Sequence, residues 1–251
     1  MANKKERFVD RDRLKKIIIF IKKLKINSID LQKITDDINS SHSLVNEALT
    51  HTSANSLINH ERLEFLGDAV LRLAASEFIE KNYPSMKVGA RSSLRSHLVS
   101  DEWLTKVGKE IEIEQIIEKG PKASKDISAK ATLQAECTEA LIGAIYESIQ
   151  DLKPIHEWLN PFWHEESNAV LANPDKYNSK SALQEWSQAK GEPLPEYIIK
   201  EISKEHNNPK RFFCEVLLDG KSIGQGWGKS RKEAEKEAAQ LALEALKNES
   251  S

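Results

Sequence analysis

One sixteen-residue stretch constrains this chain more than any other: Ala131-Thr-Leu-Gln-Ala-Glu136-Cys-Thr-Glu139-Ala-Leu-Ile-Gly-Ala-Ile-Tyr146. It is apolar almost all round a helical wheel, and such a helix belongs in a core. Glu136 and Glu139 are its only charges, and at i,i+3 they share one face. Carboxylates are almost never fully buried unless they are paired or bound to metal. No Lys or Arg lies inside the segment to pair with them. Whatever fold forms must set something cationic against that face.

A second acidic face lies upstream, in Glu61-Arg-Leu-Glu64-Phe-Leu-Gly-Asp68-Ala-Val-Leu71. At 100° per residue, Glu61, Glu64 and Asp68 fall within about 60° of one another, with Leu63, Leu66 and Val70 roughly opposite. Like charges at this spacing destabilise a helix, and Arg62 cannot offset three of them. Alone, the segment reads equally well as a solvated face. Two acidic helices without local cations point instead to a shared divalent ion. A donor set of carboxylate oxygens suits a hard ion, Mg²⁺ or Mn²⁺.

Composition narrows the class without naming it. Charged residues make up 30% of the 251 and hydrophobic ones 39%, with 10 Gly and 8 Pro, which excludes collagen-like, disulfide-scaffold and low-complexity chains. The 37 basic and 39 acidic residues nearly cancel, so only their distribution bears on nucleic acid. Cys137 and Cys214 stand far apart behind no secretory signal, which favours reduced thiols and a cytoplasmic location. The apolar run Ile17–Ile21 is ended by Lys22 and Lys23 and is too short to cross a bilayer, so no membrane role is indicated.

The pattern predicts helices at 12–23, 43–51, 60–82, 89–108, 129–149 and 153–165, with no strand-like alternation between them. Residues 1–25 hold ten basic residues against three acidic ones. That is a solvated N-terminal extension or an auxiliary phosphate-contacting arm. His51, flanked by threonines, reads as a packing or hydrogen-bonding residue rather than a general base, and Cys137 as a small core filler. Residues 172–179, polar and proline-containing, read as a linker.

Beyond residue 180 the period changes. A helix at Ser181–Lys190 precedes strands at Tyr197–Ile202, Arg211–Leu218 and Lys221–Trp227, the last two joined by the hairpin dipeptide Asp219-Gly220. A helix at Ser230–Lys247 opens with a capping box, Ser230 and Glu233, and carries the stripe Ala234, Ala238, Leu241, Ala242, Ala245. Two domains are therefore expected. An all-α domain spans 1–171, and a small α+β domain of order α-β-β-β-α spans 180–248.

The motif Glu61-Arg-Leu-Glu-Phe-Leu-Gly-Asp68 resembles the signature of ribonuclease III. Glu47-Ala-Leu-Thr-His-Thr-Ser53 upstream and Glu139-Ala-Leu-Ile-Gly-Ala-Ile-Tyr146 downstream are similar to its flanking segments in order and spacing. The resemblance implies that Glu64, Asp68, Glu136 and Glu139 are the catalytic, metal-holding acids, with Glu61 a further acid nearby. Two positions depart from the pattern. Glu136 stands where the family usually has Asp, which keeps the charge and moves it by one methylene, and His60 stands where Asn is typical.

Lys180–Leu246 resembles a double-stranded-RNA-binding domain. The resemblance rests on Ser181, Leu183, Gln184, Glu185, Pro195, Tyr197, Phe212, the run Gly228-Lys-Ser-Arg-Lys-Glu-Ala-Glu235, and Ala238-Ala239. Lys229, Arg231 and Lys232 cluster at a helix start, where they oppose the helix dipole unless an anion such as phosphate sits there. The resemblance makes these three, with Gln184 on the first helix and His206 in the β1–β2 loop, the RNA contacts. Residues 176–251 hold thirteen basic against twelve acidic residues, so the footprint is a local patch.

Together these features imply an endoribonuclease that cleaves double-stranded RNA by metal-dependent phosphodiester hydrolysis. Mg²⁺ is the expected ion, with Mn²⁺ able to substitute. Expected products carry 5′-phosphate and 3′-hydroxyl ends, and ribosomal-RNA precursors and structured messenger RNAs are the expected substrates. One set of acids per chain, set against two strands per duplex, implies a homodimer. A duplex-RNA-binding scaffold with a weak or inactive nuclease fold is the rival, favoured by Glu136 and opposed by the retention of four carboxylates.

Overall fold

The computed structural model describes residues 10–40, 42–55, 57–121, 130–173, 177–205 and 208–249. The chain divides into two compact units, Met1–Ser167 and Asn168–Ser251.

The first unit is helical. Its helices are α1 (Arg11–Ile21), α2 (Ser28–Ile38), α3 (Leu44–Ala48), α4 (Glu61–Asn82), α5 (Val88–Leu98), α6 (Asp101–Glu110), α7 (Lys130–Ile149) and most of α8 (Lys153–Ala172), which ends past Ser167, with a short 3-10 turn at Ile113–Gln115. The apolar helix α7 is the central post, packed by α2, α3, α4 and α6. Leu133, Cys137, Ala140, Leu141, Ile142, Ala144 and Ile145 are buried along it.

The crossing of α4 over α7 depends on two missing side chains. A Cβ on Gly67 would overlap the Glu139 carbonyl, and one on Gly143 would overlap the Leu63 carbonyl. The two acid-bearing helices therefore meet main chain against main chain.

Several predicted boundaries shift. The helix at 89–108 is two helices, because the Ser100 hydroxyl accepts the Trp103 N–H at 3.2 Å and starts a new one. Ser28–Ile38 is a helix that the apolar pattern does not predict. There the Asn27 side chain caps the start, accepting from the Ile29 and Asp30 N–H groups. The helix at 153–165 runs on to Ala172 despite Pro161, with Trp158, Leu159 and Trp163 buried along it. The segment 43–51 is helical only to Ala48. Thr50 then forms an isolated parallel bridge with Glu118, in which His51 N–H donates to the Glu118 carbonyl at 2.9 Å and Glu118 N–H to the Leu49 carbonyl at 2.8 Å.

The second unit holds α9 (Ser179–Lys190), β1 (Glu196–Glu201), β2 (Phe212–Leu218), β3 (Lys221–Gly228) and α10 (Arg231–Glu249). The antiparallel sheet has order β1-β2-β3, with a bulge after Val216. Asp219 and Gly220 both take positive φ, 49° and 72°, as the tight hairpin turn requires. The core joins Leu183, Phe212, Cys214 and Val216 to Ala234, Ala238, Ala239, Ala242 and Leu243.

The predicted stripe on the last helix is corrected at two positions. Leu241 is 46% exposed and Ala245 is exposed, while Ala239 and Leu243 are buried in their place. Contact with β3 decides the rotation. A Cβ on Gly226 would overlap the Ala238 N–H and crowd the Ala234 carbonyl, so alanines alone fit over that strand.

Candidate active site

The N-terminal half of α4 and the middle of α7 open into a cleft of about 660 Å³. It is lined by His51, Thr52, His60, Glu61, Glu64, Phe65, Asp68, Arg72, Glu136 and Glu139. All four predicted catalytic acids therefore line one space, and Glu61 joins them. Glu61 and Glu64 occupy the first turn of α4, where the helix dipole favours negative charge. That turn starts at a fixed place. The Asn59 side chain accepts the Glu61 N–H at 3.0 Å, and the His60 N–H donates to the Thr50 carbonyl at 2.9 Å.

Protonation reflects the crowding of like charge. Burial first, and then the charges of Asp68 and Glu64, push the Glu139 carboxyl up to about 7. Burial and the neighbouring Glu136 also raise Glu64. Asp101, at the start of α6, adds to both shifts and lies outside the acidic motifs of α4 and α7.

The expectation that no local cation serves these faces is corrected twice. Arg72, one turn beyond Asp68 on α4, donates from Nε to the Asp68 carboxylate at 2.7 Å. His60 is buried, with Nε2 3.5 Å from an oxygen of Glu64 and 3.5 Å from one of Glu136. Its Nδ1 lies 3.3 Å from the Thr50 carbonyl, which can only accept, so Nδ1 carries a proton. Burial disfavours the imidazolium, but the hydrogen bond to Glu136, the Thr50 carbonyl and the two carboxylate charges outweigh it and raise the His60 pKa. Arg62 turns away from the cleft to Glu47 and Glu147, at 2.9 and 2.7 Å.

His51 behaves as a hydrogen-bonding residue, its Nδ1 2.7 Å from the Ser53 hydroxyl and its ring stacked on His60 at 5.4 Å. Cys137 lies behind the acids with its thiol pushed far up by burial, so it offers no thiolate nucleophile.

The donor set is suited to a cation. Nε2 of His60 and one oxygen each of Glu64 and Glu136 lie within 4.8 Å of one another, the one such group of three among the described residues. Asp68 and Glu139 line the same cleft without joining that trio, and Asp68 is turned to Arg72.

Residues 41–150 match the Ribonuclease-III-like family and residues 179–246 match the double-stranded RNA binding motif. Ribonuclease 3 of Prochlorococcus marinus is 51% identical over 240 residues, covering 96% of this chain and 96% of that one. This chain belongs to the ribonuclease III family. Ribonuclease 3 2 of a Nostoc species is 38% identical over 81% of this chain and 84% of its own length. Among solved structures, the nuclease domain of the Campylobacter jejuni ribonuclease III aligns over 54% of this chain and 87% of its own, at 26% identity and TM-score 0.41. As a ribonuclease III, the chain is an endoribonuclease of double-stranded RNA. No helix among the described residues is long and apolar enough to cross a membrane.

The ribonuclease III places its expected RNA contacts in the second unit. Gln184 is exposed on α9, Lys229 is exposed just before α10, and Arg231 and Lys232 are exposed in the first turn of α10. The Ser230 hydroxyl caps that turn by accepting the Glu233 N–H at 3.2 Å. The return bond of the predicted capping box goes to the Lys229 N–H, at 3.0 Å, rather than to Ser230. Arg231 lies over the Phe212 ring at 5.9 Å, which orients its guanidinium. His206 lies outside the described residues, as do residues 1–9 of the basic N-terminal segment.

Proposed function

We propose that this ribonuclease III hydrolyses both strands of an RNA duplex as a homodimer, with Mg²⁺ held by Glu64, Asp68, Glu136 and Glu139. Mn²⁺ would substitute. The observation that carries the reading is the convergence of these acids, with the Glu139 carboxyl pushed up to about 7 by burial and by its acidic neighbours. A cation joining a group so poised stabilises its charged form. When bound, the divalent ion lowers the pKa of water and offsets charge building on the phosphate oxygens.

The chain's own residues do the positioning. Arg72 holds Asp68, and the close crossing at Gly67 and Gly143 sets α4 against α7. Attack of water on phosphorus, with departure of the 3′ oxygen as a hydroxyl, leaves a 5′-phosphate and a 3′-hydroxyl. Dimerisation is supported by Phe65, Ala69 and Leu73 on α4 beside the acids. Phe65 is 85% exposed and Leu73 is 54% exposed. Apolar side chains so placed favour a covering partner.

In this reading the nuclease domain spans 1–171, a linker 172–179 and the RNA-reading domain 180–248. Gln184 and the β1–β2 loop with His206 meet minor grooves, and Lys229, Arg231 and Lys232 meet the phosphates between them. Ribosomal-RNA precursors and structured messenger RNAs in the cytoplasm are the proposed substrates. The buried free thiols of Cys137 and Cys214 suit a reducing compartment.

The test uses one labelled RNA duplex with Mg²⁺ and with EDTA, for the native chain and Glu139→Gln. Metal-dependent cleavage lost in the variant, with duplex binding kept, is the expected result. Tight binding without cleavage in either metal would leave a scaffold.

A further inference from the structure

We propose that His60 is a metal ligand, its Nε2 joining Glu64 and Glu136 in a mixed nitrogen–oxygen site that favours Mn²⁺ over Mg²⁺ more than carboxylates alone would. The proposal rests on the reading that the acid cleft binds a divalent ion, and adds to it a residue outside the four expected acids.

Geometry carries the inference. The His60 side chain is only 3% exposed, and its Nε2 stands beside two carboxylates. At 3.5 Å each, these contacts are hydrogen bonds at the long limit, wider than the about 2.7–2.9 Å of a close charge-assisted pair. The spacing fits ligands that share one ion, because bonds of about 2.1 Å put neighbouring donor atoms about 3.0–3.5 Å apart.

The other ring nitrogen is already committed. Nδ1 faces the Thr50 carbonyl at 3.3 Å, and Thr50 is itself held by the bridge to Glu118. A backbone carbonyl on one imidazole nitrogen is the usual way a protein aims the other at a metal. The stacked His51 ring fixes the plane from one side. His60 is thus buried, oriented and backed, and its Nε2 stands between Glu64 and Glu136 in the lining of the cleft.

The chemical consequence is selectivity. Imidazole nitrogen adds little to the binding of Mg²⁺, which prefers oxygen, and more to that of first-row transition ions. Manganese, tolerant of both donors, gains from the exchange.

The test is electron spin echo envelope modulation of the full chain loaded with Mn²⁺, beside equilibrium binding of Mn²⁺ and Mg²⁺. The expected spectrum shows coupling to a directly bound imidazole nitrogen, kept in His51→Gln and lost in His60→Asn. Mn²⁺ affinity is expected to fall about tenfold in His60→Asn, while Mg²⁺ affinity changes by less than about threefold. Mn²⁺ bound to the native chain without nitrogen coupling would overturn the ligand assignment and leave the acid site standing. Coupling that persists in His60→Asn would assign the nitrogen elsewhere and also overturn it. No Mn²⁺ bound to the native chain would overturn the acid-site reading itself, and the ligand assignment with it. The decisive spectrum is that of the native protein, so a variant that fails to fold does not remove the test.

Discussion

The two units handle charge in opposite ways. In the nuclease cleft, like charges are crowded, half-buried and shifted in their proton affinity, with Glu139 pushed up to about 7. On the RNA-reading unit, Lys229, Arg231 and Lys232 stand exposed at a helix start and cost little until salt is removed. The first arrangement stores unfavourable energy that a bound cation would relieve. The second stores almost none and attracts a polyanion at long range. In the proposed reading, chemistry uses the crowded site and recognition the exposed one.

Separating the two roles gives the largest expected effects. Glu139→Gln should lower cleavage by at least about two orders of magnitude, the scale for losing one preorganised charged group. Duplex affinity should change by less than about threefold, read from gel shifts in EDTA. Comparable losses in both would mean that the cleft, and not the second unit, supplies affinity.

The converse variant, Lys229→Ala with Arg231→Ala and Lys232→Ala, should weaken duplex binding strongly. The slope of log affinity against log salt should fall by about two to three units. The rate at saturating RNA should be retained. A slope left unchanged would remove these residues from the interface.

The glycine crossings sharpen the contrast at the level of packing. Gly67→Ala forces a methyl into the Glu139 carbonyl and should cost about 3 kcal/mol in the first unit, measured by chemical denaturation. It should reduce cleavage and spare duplex binding. Gly226→Ala, against the Ala238 N–H, should destabilise the second unit to a similar degree and reduce binding first.

The smallest effect is in pH. Glu139 and Glu64 hold protons in the folded state that they would release unfolded. Between 4.5 and about 7, these two carboxyls therefore bind more protons in the folded chain than in the unfolded one. Stability of the metal-free protein should fall as pH rises through that window, by on the order of 1 kcal/mol after allowance for solvent screening. Glu139→Gln should flatten the decline, and a saturating divalent ion should reverse it. A melting temperature that rises with pH in EDTA would contradict this account.

Local signals explain what could be read in advance. Asp219-Gly220 specifies its turn by itself, and the acid spacings on α4 and α7 follow from helix geometry. The break at Ser100 had a local signal too, a serine followed by Asp101 and Glu102, but the apolar periodicity running through it was the stronger pattern. Other features depend on partners far along the chain. The bridge from Thr50 to Glu118 has no local signature, yet it decides where His51 and His60 stand. The pairing of Asp68 with Arg72 was available at i,i+4 and needed only the wheel carried one turn further. The exposure of Leu241 follows from glycines on β3, which a helix-only pattern cannot register.

The contact of Gly67 with Gly143 leaves the cleft with a fixed gauge. Side chains in a core can swap rotamers and volumes as a sequence drifts, and the helices they separate move accordingly. Two main chains in contact offer no such adjustment. The spacing between the acids of α4 and those of α7 is thus inherited from backbone dimensions, common to every polypeptide, and insulated from turnover in the surrounding hydrophobic shell.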